Sequence, residues 1–385
     1  MNPLYANLPT TIFEKMSALA RETGAINLGQ GFPDAGWPRD VLEAGARALT
    51  EGYNQYPPMP GIPELRQAVA DHYRRHQAID LDWQTEITVT SGATEALAAS
   101  IMALVSPGDE VLMIQPMYDA YLPMVRQAGG VPKLIRLEPP QWRLTETALA
   151  EAFTPRTRIV LLNNPLNPTA TMFSDEELAL LARFVVAHDA VVISDEVWEH
   201  VVFDGRAHSP IMAQPGTRER TVKIGSGGKI FSLTGWKVGW MCAAPRLSQV
   251  LARAHQFLTF TTPPNLQAAI AYGLGKTDDY FTTMRGDFAR SRDRLASGLE
   301  AAGWKTLPSA GTYFLSVDLA ASGIALDDVA FCDRLAREGD VVAIPVSAFY
   351  AEAPVTSVVR FCFAKTDATI DAALERMAKA RKLFG

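Results

Sequence analysis

The chain is poor in the residues that staple or ligate. It has three cysteines, Cys242, Cys332 and Cys362, none in a CxxC or Cys/His spacing, so nothing requires a disulfide framework or a metal cluster and reduced, buried thiols are expected. Excess positive charge is also missing: 36 Lys and Arg face 42 Asp and Glu, a net charge of −6, which argues against nucleic acid or an anionic membrane as the main partner. Long apolar runs are absent, since the longest near-apolar stretch, residues 96–105, is too short to span a bilayer. The opening residues, MNPLYANLPTTIFEKM, carry neither the basic segment nor the apolar core of a secretion signal, so a cytoplasmic protein is expected. No GxGxxG follows the early strands, which removes the dinucleotide fingerprint. A P-loop fails too, because Ile230 follows the lysine of the Gly-Gly-Lys run and Lys223 stands where the upstream glycine belongs. No appended helix-turn-helix or basic segment supports a regulator that binds DNA, and no repeat or flexible linker is visible.

What is present is ordinary core-forming material. With 385 residues, 48% hydrophobic and 20% charged, the chain is long enough for two domains. Apolar runs at 87–90, 111–114, 158–162, 190–194, 221–224 and 238–243 read as strands. Helical patterns lie at 12–21, 38–51, 63–76 and 95–105, and one runs from Ser174 to about 188, with Glu177 completing a capping box. Strands alternating with helices predict an α/β fold around a mostly parallel sheet. Beyond residue 275 a long charged helix, 279–302, leads to strands at 312–317, 341–344 and 357–363 with helices at 326–338 and 367–383. This texture predicts a smaller α+β domain. The expected division is a large domain over 46–278 and a small one built from 279–385 and the amino-terminal arm, 1–45.

In open α/β sheets ligands bind beyond the carboxyl ends of strands. Residues 91–94, Tyr118, Asn167, Asp195 and the loop 226–229 all fall at such ends, so one shared site is expected. The stretch 221–241, TVKIGSGGKIFSLTGWKVGWM, centres on Lys229, whose amine among small residues is placed to form a Schiff base. Taken alone, such a lysine is more often a solvated turn residue, Asp195 a cap, Asn167 a turn residue and Tyr118 a rim aromatic. Together they are the groups that a phosphorylated heterocyclic aldehyde demands: a lysine for the aldehyde, an acid for the ring nitrogen, an aromatic face, and Ser, Lys and N–H donors for the phosphate. Pyridoxal 5′-phosphate fits that description. Arg360, in the apolar run Val-Val-Arg-Phe-Cys-Phe, needs an anion to be tolerable there, and a substrate carboxylate supplies one.

The sequence resembles the class I pyridoxal-phosphate-dependent aminotransferases of fold type I over nearly its whole length, and within them the kynurenine/glutamine transaminase and methionine aminotransferase branch. The matching runs include NLGQGFPD at 27–34, NQY at 54–56, TSGAT at 90–94, NNPLNP at 163–168, DEVWEH at 195–200, SGGKIFSLTGWKVGW at 226–240 and RFCFAK at 360–365. The resemblance implies a seven-stranded, mostly parallel sheet and a smaller domain. It implies ping-pong transamination between an amino acid and a 2-oxo acid, with Lys229 holding the internal aldimine and then carrying the proton. By the same resemblance Asp195 would pair with the ring nitrogen, Asn167 with the ring oxygen O3′, and Tyr118 would stack on the ring. Ala93, Thr94, Ser226 and Lys237 would hold the phosphate, and Arg360 the substrate carboxylate, helped by Asn167 and backbone near Gly31. Tyr56 would reach the phosphate of a neighbouring subunit, implying a homodimer with shared sites.

One position departs from that pattern. A tyrosine usually stands where this chain has Trp198, and an indole N–H can donate but not accept. The expectation is that Trp198 keeps an O3′ contact or leaves it to Asn167. Phe13, Tyr118, Phe260 and Phe349 predict an aromatic pocket favouring methionine, glutamine or kynurenine-like substrates over aspartate, although Phe260 and Phe349 read equally well as core. A cysteine-conjugate β-lyase using the same residues is the alternative.

Overall fold

The computed structural model describes residues 1–384. Its strands, in chain order, are β1 (Ile26–Asn27), β2 (Ile87–Thr90), β3 (Glu110–Gln115), β4 (Val131–Arg136), β5 (Thr157–Asn163), β6 (Val191–Asp195), β7 (Thr221–Ser226), β8 (Gly239–Cys242), β9 (Lys305–Thr306), β10 (Phe314–Asp318), β11 (Val341–Val342), β12 (Ile344–Pro345) and β13 (Val358–Cys362). Seven of them form one sheet in the order β2-β8-β7-β6-β5-β3-β4, parallel throughout except for β8, which runs antiparallel to both neighbours. The expected α/β architecture with a seven-stranded sheet is therefore the one observed.

The apolar runs are continuous because both faces of this sheet are covered. Along β5, Ile159 and Leu161 point into one core while Val160 and Leu162 point into another. In β6, Ile193 and Val192 divide in the same way. Successive strand residues face opposite sides, so a strand buried on both sides has no polar alternation to display. Burying each such side chain contributes about 1.5–3 kcal/mol, which is why these short strands hold.

A second sheet, antiparallel in the order β12-β13-β10-β9, carries the smaller unit, and β1 pairs in parallel with β11. The returning arm is thus real: Ile26 aligns with Val341 and Asn27 with Val342. The expected domain boundary at residue 46 falls inside the helix Arg39–Glu51, whose Val41 and Ala44 pack with Leu65, Val69 and Ile270 beside the large sheet. We propose that the large unit begins near residue 38.

Some elements were not anticipated. β4 begins Val-Pro-Lys and is mostly half-exposed, an edge strand where proline is tolerated but apolar alternation is weak. The helices Pro245–Leu258 and Pro264–Leu274 each open on a proline in the first turn, where its missing N–H costs nothing. Among the described residues, no helix is long and apolar enough to cross a membrane.

Candidate active site

Register places the acid. Asn163 at the end of β5 lies opposite Asp195 at the end of β6, and Asp195 opposite Ile224 in β7, so the three strands deliver their carboxyl ends side by side. Asp195 is buried and receives two donors, the Tyr121 hydroxyl at 2.7 Å on Oδ2 and the Val197 N–H at 3.4 Å on Oδ1. Burial raises its pKa, while those donors and the charge of Lys229 pull the other way. Burial and the neighbouring acid push the Tyr121 hydroxyl well above 10, so it stays a donor.

Two residues beyond Ile224, Ser226 caps the one-turn helix Gly227–Ile230 by accepting from the Lys229 N–H at 3.3 Å. The cap fixes the backbone from which Lys229 projects into the same cleft as Asp195. Its Nζ donates to the Tyr313 hydroxyl at 3.1 Å and lies 4.5 Å from the centre of the Trp198 ring. Burial lowers the amine to about 8, against the pull of Asp195.

The opposite wall is a helix start. The helix Gly92–Leu104 begins three residues before its expected start, which puts Ala93 and Thr94 in the first turn, where N–H groups have no partner within the helix. Its N-cap, Ser91, makes no side-chain capping bond, so those donors remain available to an anion. Lys237 closes the same end of the cleft. A Cβ on Gly92, whose φ is +74°, would come within 3.3 Å of the Lys237 Nζ, and one on Gly239 would come within 2.8 Å of the Ala93 nitrogen. The left-handed φ at Gly92 and the backbone contact at Gly239 both call for glycine.

Arg360, from the middle of β13, is 1% exposed. Its Nη1 donates to Asn167 Oδ1 at 2.7 Å and its Nη2 to the Gly29 carbonyl at 3.2 Å, while Nε is buried without a partner. The guanidinium lies 3.8 Å from the centre of the Phe314 ring, with Phe349 and Phe13 at 5.0 and 5.5 Å. Burial brings its pKa down to about 10. No carboxylate pairs with either Arg360 or Asp195 among the described residues, and no cation lies within ion-pairing distance of Asp195. A buried acid and a buried guanidinium, each lacking a counter-ion, are what a protonated ring nitrogen and a substrate carboxylate would complete. The donor set therefore fits pyridoxal 5′-phosphate.

Of the residues singled out from sequence, Ala93, Thr94, Tyr118, Asn167, Asp195, Trp198, Ser226, Lys229 and Lys237 line one cleft. Arg360 adjoins it through Asn167, Phe13 packs edge-on against Phe349 beside Arg360, and Gly31 is reached through the Tyr313 hydroxyl, which donates to its carbonyl at 2.5 Å. Tyr56 and Phe260 stand apart: they pack on each other, 79% and 41% exposed, and do not line the cleft of their own chain. Tyr121 and Tyr313 were missed. Tyr121 lies three residues beyond Tyr118, so nearness to that strand end was the signal on offer, whereas Tyr313 precedes a strand of the other sheet and gave no signal.

Comparison with known proteins gives the family. Residues 23–377 match the model of the family described as Aminotransferase class I and II. The chain is 42% identical over 370 residues to the methionine aminotransferase of Escherichia coli, covering 96% of each, and 35% identical over 410 residues to the kynurenine–oxoglutarate transaminase of Dictyostelium discoideum, covering 97% and 94%. The solved N-succinyldiaminopimelate aminotransferase of Mycobacterium tuberculosis superposes with a TM-score of 0.95 at 43% identity, covering 98% of this chain and 99% of that one. The fold is that of the fold type I aminotransferases, and the chain belongs to the class I and II aminotransferase family. It is accordingly a pyridoxal-phosphate-dependent aminotransferase, acting between amino acids and 2-oxo acids.

Proposed function

We propose that this aminotransferase takes its amino group from an apolar, thioether or aromatic L-amino acid such as methionine, glutamine or a kynurenine-like donor, and that it works by ping-pong exchange as a cytoplasmic homodimer. The observation that carries the substrate choice is the surround of Arg360. Three phenylalanines pack about the guanidinium, and the other cations of the cleft, Lys229 and Lys237, would be engaged by the aldehyde and the phosphate. Lys365, the next cation along the chain, is already paired with Asp34 at 2.7 Å. A substrate with a distal carboxylate, aspartate or an N-succinyl diamino acid, would find no second positive group, whereas a thioether or ring would find apolar contact.

When bound, pyridoxal 5′-phosphate supplies an aldehyde and an electron-withdrawing ring that accepts the electrons of the substrate Cα–H bond. In this reading Asp195 keeps a proton on the ring nitrogen, Asn167 donates to the ring oxygen, and Tyr118 covers one face. The free N–H groups at Ala93 and Thr94, with Ser226 and Lys237, hold the phosphate. Arg360 grips the substrate carboxylate as a planar fork and so orients Cα. Lys229, brought by burial to about 8, would offer neutral amine to the aldehyde at mildly alkaline pH, and its Nζ would be the group that holds and moves the proton at the substrate Cα. Tyr56, exposed with Phe260 and outside its own cleft, would serve a partner's phosphate rather than its own.

The test is the isolated half-reaction, followed by absorbance with a panel of amino acids. Methionine, glutamine and phenylalanine are expected to bleach the aldehyde form faster than aspartate or N-succinyldiaminopimelate. A faster reaction with either of the latter two would overturn the pocket argument.

A further inference from the structure

The position that departs from the family pattern sits directly on the lysine. Trp198 is 3% exposed, and its ring meets the Tyr313 ring edge-on, 4.3 Å between centres at 87°. The Lys229 Nζ lies in the angle between them, 4.5 Å from the indole centre, 5.4 Å from the phenol centre and 3.1 Å from the Tyr313 hydroxyl. That hydroxyl has its own proton committed to the Gly31 carbonyl at 2.5 Å, so toward Lys229 its oxygen acts as acceptor. Burial pushes the Tyr313 pKa well above 10, which keeps the phenol neutral and the direction of both bonds fixed.

We propose that Trp198 and Tyr313 form an aromatic cradle that positions the Lys229 Nζ and favours its charged form, the indole face by cation–π attraction and the phenol oxygen by accepting a hydrogen bond. The inference rests on the reading of Lys229 as the cofactor lysine. It assigns the tryptophan to the amine instead of to a ring oxygen, and it makes Tyr313, the residue before β10, a positioning residue.

The remaining groups that act on the amine are Asp195, which favours its charge, and Arg360 and Lys237, which oppose it, with the Cys362 thiol nearby. None of them supplies a hydrogen bond to Nζ. The cradle is therefore the direct counterweight to desolvation.

The experiment uses the cofactor-stripped full chain and follows, against pH, the rate at which added pyridoxal 5′-phosphate becomes borohydride-reducible on Lys229. The half-rate pH reads the proton affinity of the amine, independently of turnover. Tyr313→Phe and Trp198→Leu are each expected to lower that pH by about one unit, a tenfold loss of proton affinity, and Trp198→Phe, which keeps a ring face, to recover most of it. Unmoved profiles in both Tyr313→Phe and Trp198→Leu overturn the cradle, as does an equal shift in Trp198→Phe and Trp198→Leu, since the indole N–H would then be the acting group. Thermal unfolding of each variant separates these outcomes from misfolding, and a destabilised Tyr313→Phe leaves the two tryptophan variants to decide. A parent chain that never labels Lys229 refutes the cofactor reading itself.

Discussion

Arg360 spends its three kinds of nitrogen unequally: two meet neutral acceptors and one meets nothing. A guanidinium so placed is stabilised once a carboxylate arrives, so its removal should be felt at substrate binding and not at cofactor loading. Arg360→Lys, which keeps charge but loses the fork, is expected to lower kcat/KM for methionine about 100-fold, mostly through KM, with the absorbance of the resting enzyme unchanged. Steady-state kinetics beside a spectrum decide it, and an altered spectrum would mean that Arg360 acts on the cofactor. Asp195→Asn replaces a proton-holding acid by an amide, and the rate of Cα deprotonation should drop by about 10²–10⁴. Deuterium exchange at the substrate Cα, measured by mass spectrometry, reports that step alone.

At the scale of elements, the strand ends bearing Asp195 are anchored by a buried polar cluster behind the sheet. Glu196 accepts from Ser194 at 2.7 Å, from His208 at 2.7 Å and from Lys223, and Lys223 also reaches Glu199 at 2.9 Å. Burial alone would raise Glu196, yet Lys223 and His208 bring it down to about 2. Lys223 in turn stays charged, because the two glutamates outweigh its own desolvation. Lys223→Met strands both carboxylates and should cost about 3–5 kcal/mol, readable as a shift of the urea midpoint.

Beside this cluster His72 and His200 meet Nε2 to Nε2 at 2.6 Å, and burial, reinforced by neighbouring histidines, lowers both well below 6.5. As pH falls through 6.5 the unfolded chain takes up these protons first. The stability they allow is therefore complete above that pH and lost below it, at up to about 1.4 kcal/mol per pH unit for each ring. Replacing both by leucine should flatten unfolding midpoints between pH 6.5 and 5.5. An unchanged slope would place the acid sensitivity elsewhere.

For the whole molecule, the telling surface is the one around Tyr56. Tyr53, Tyr56, Phe257 and Phe260 are 78%, 79%, 86% and 41% exposed, more aromatic surface than a lone chain usually shows to water. If the proposed homodimer shares its sites, Tyr56→Phe should weaken cofactor retention although the side chain lies outside its own cleft. Mixing Lys229→Ala chains with Tyr56→Phe chains should then yield mixed dimers in which one cleft has both residues. Dialysis followed by absorbance measures retention, and sedimentation velocity measures the mass. A monomer that keeps its cofactor would refute the arrangement.

Much of this was legible one residue at a time. Strands buried on both faces announce themselves as unbroken apolar runs, and the glycines, the lysine and the acid at their carboxyl ends are local chemistry that order along the chain preserves. Sequence alone therefore determined the α/β sheet apart from its edge strand β4, the cofactor, and the residues Lys229, Asp195, Asn167 and Arg360 as candidates. Only the tertiary structure decided what meets them. Tyr121 reaches Asp195 across 74 residues and Tyr313 reaches Lys229 across 84, separations at which no periodicity carries information. Tertiary packing likewise set Phe260 outside the cleft and turned Trp198 toward the lysine, because where a side chain points beyond its own element depends on the register between sheets, and register is a property of the folded chain.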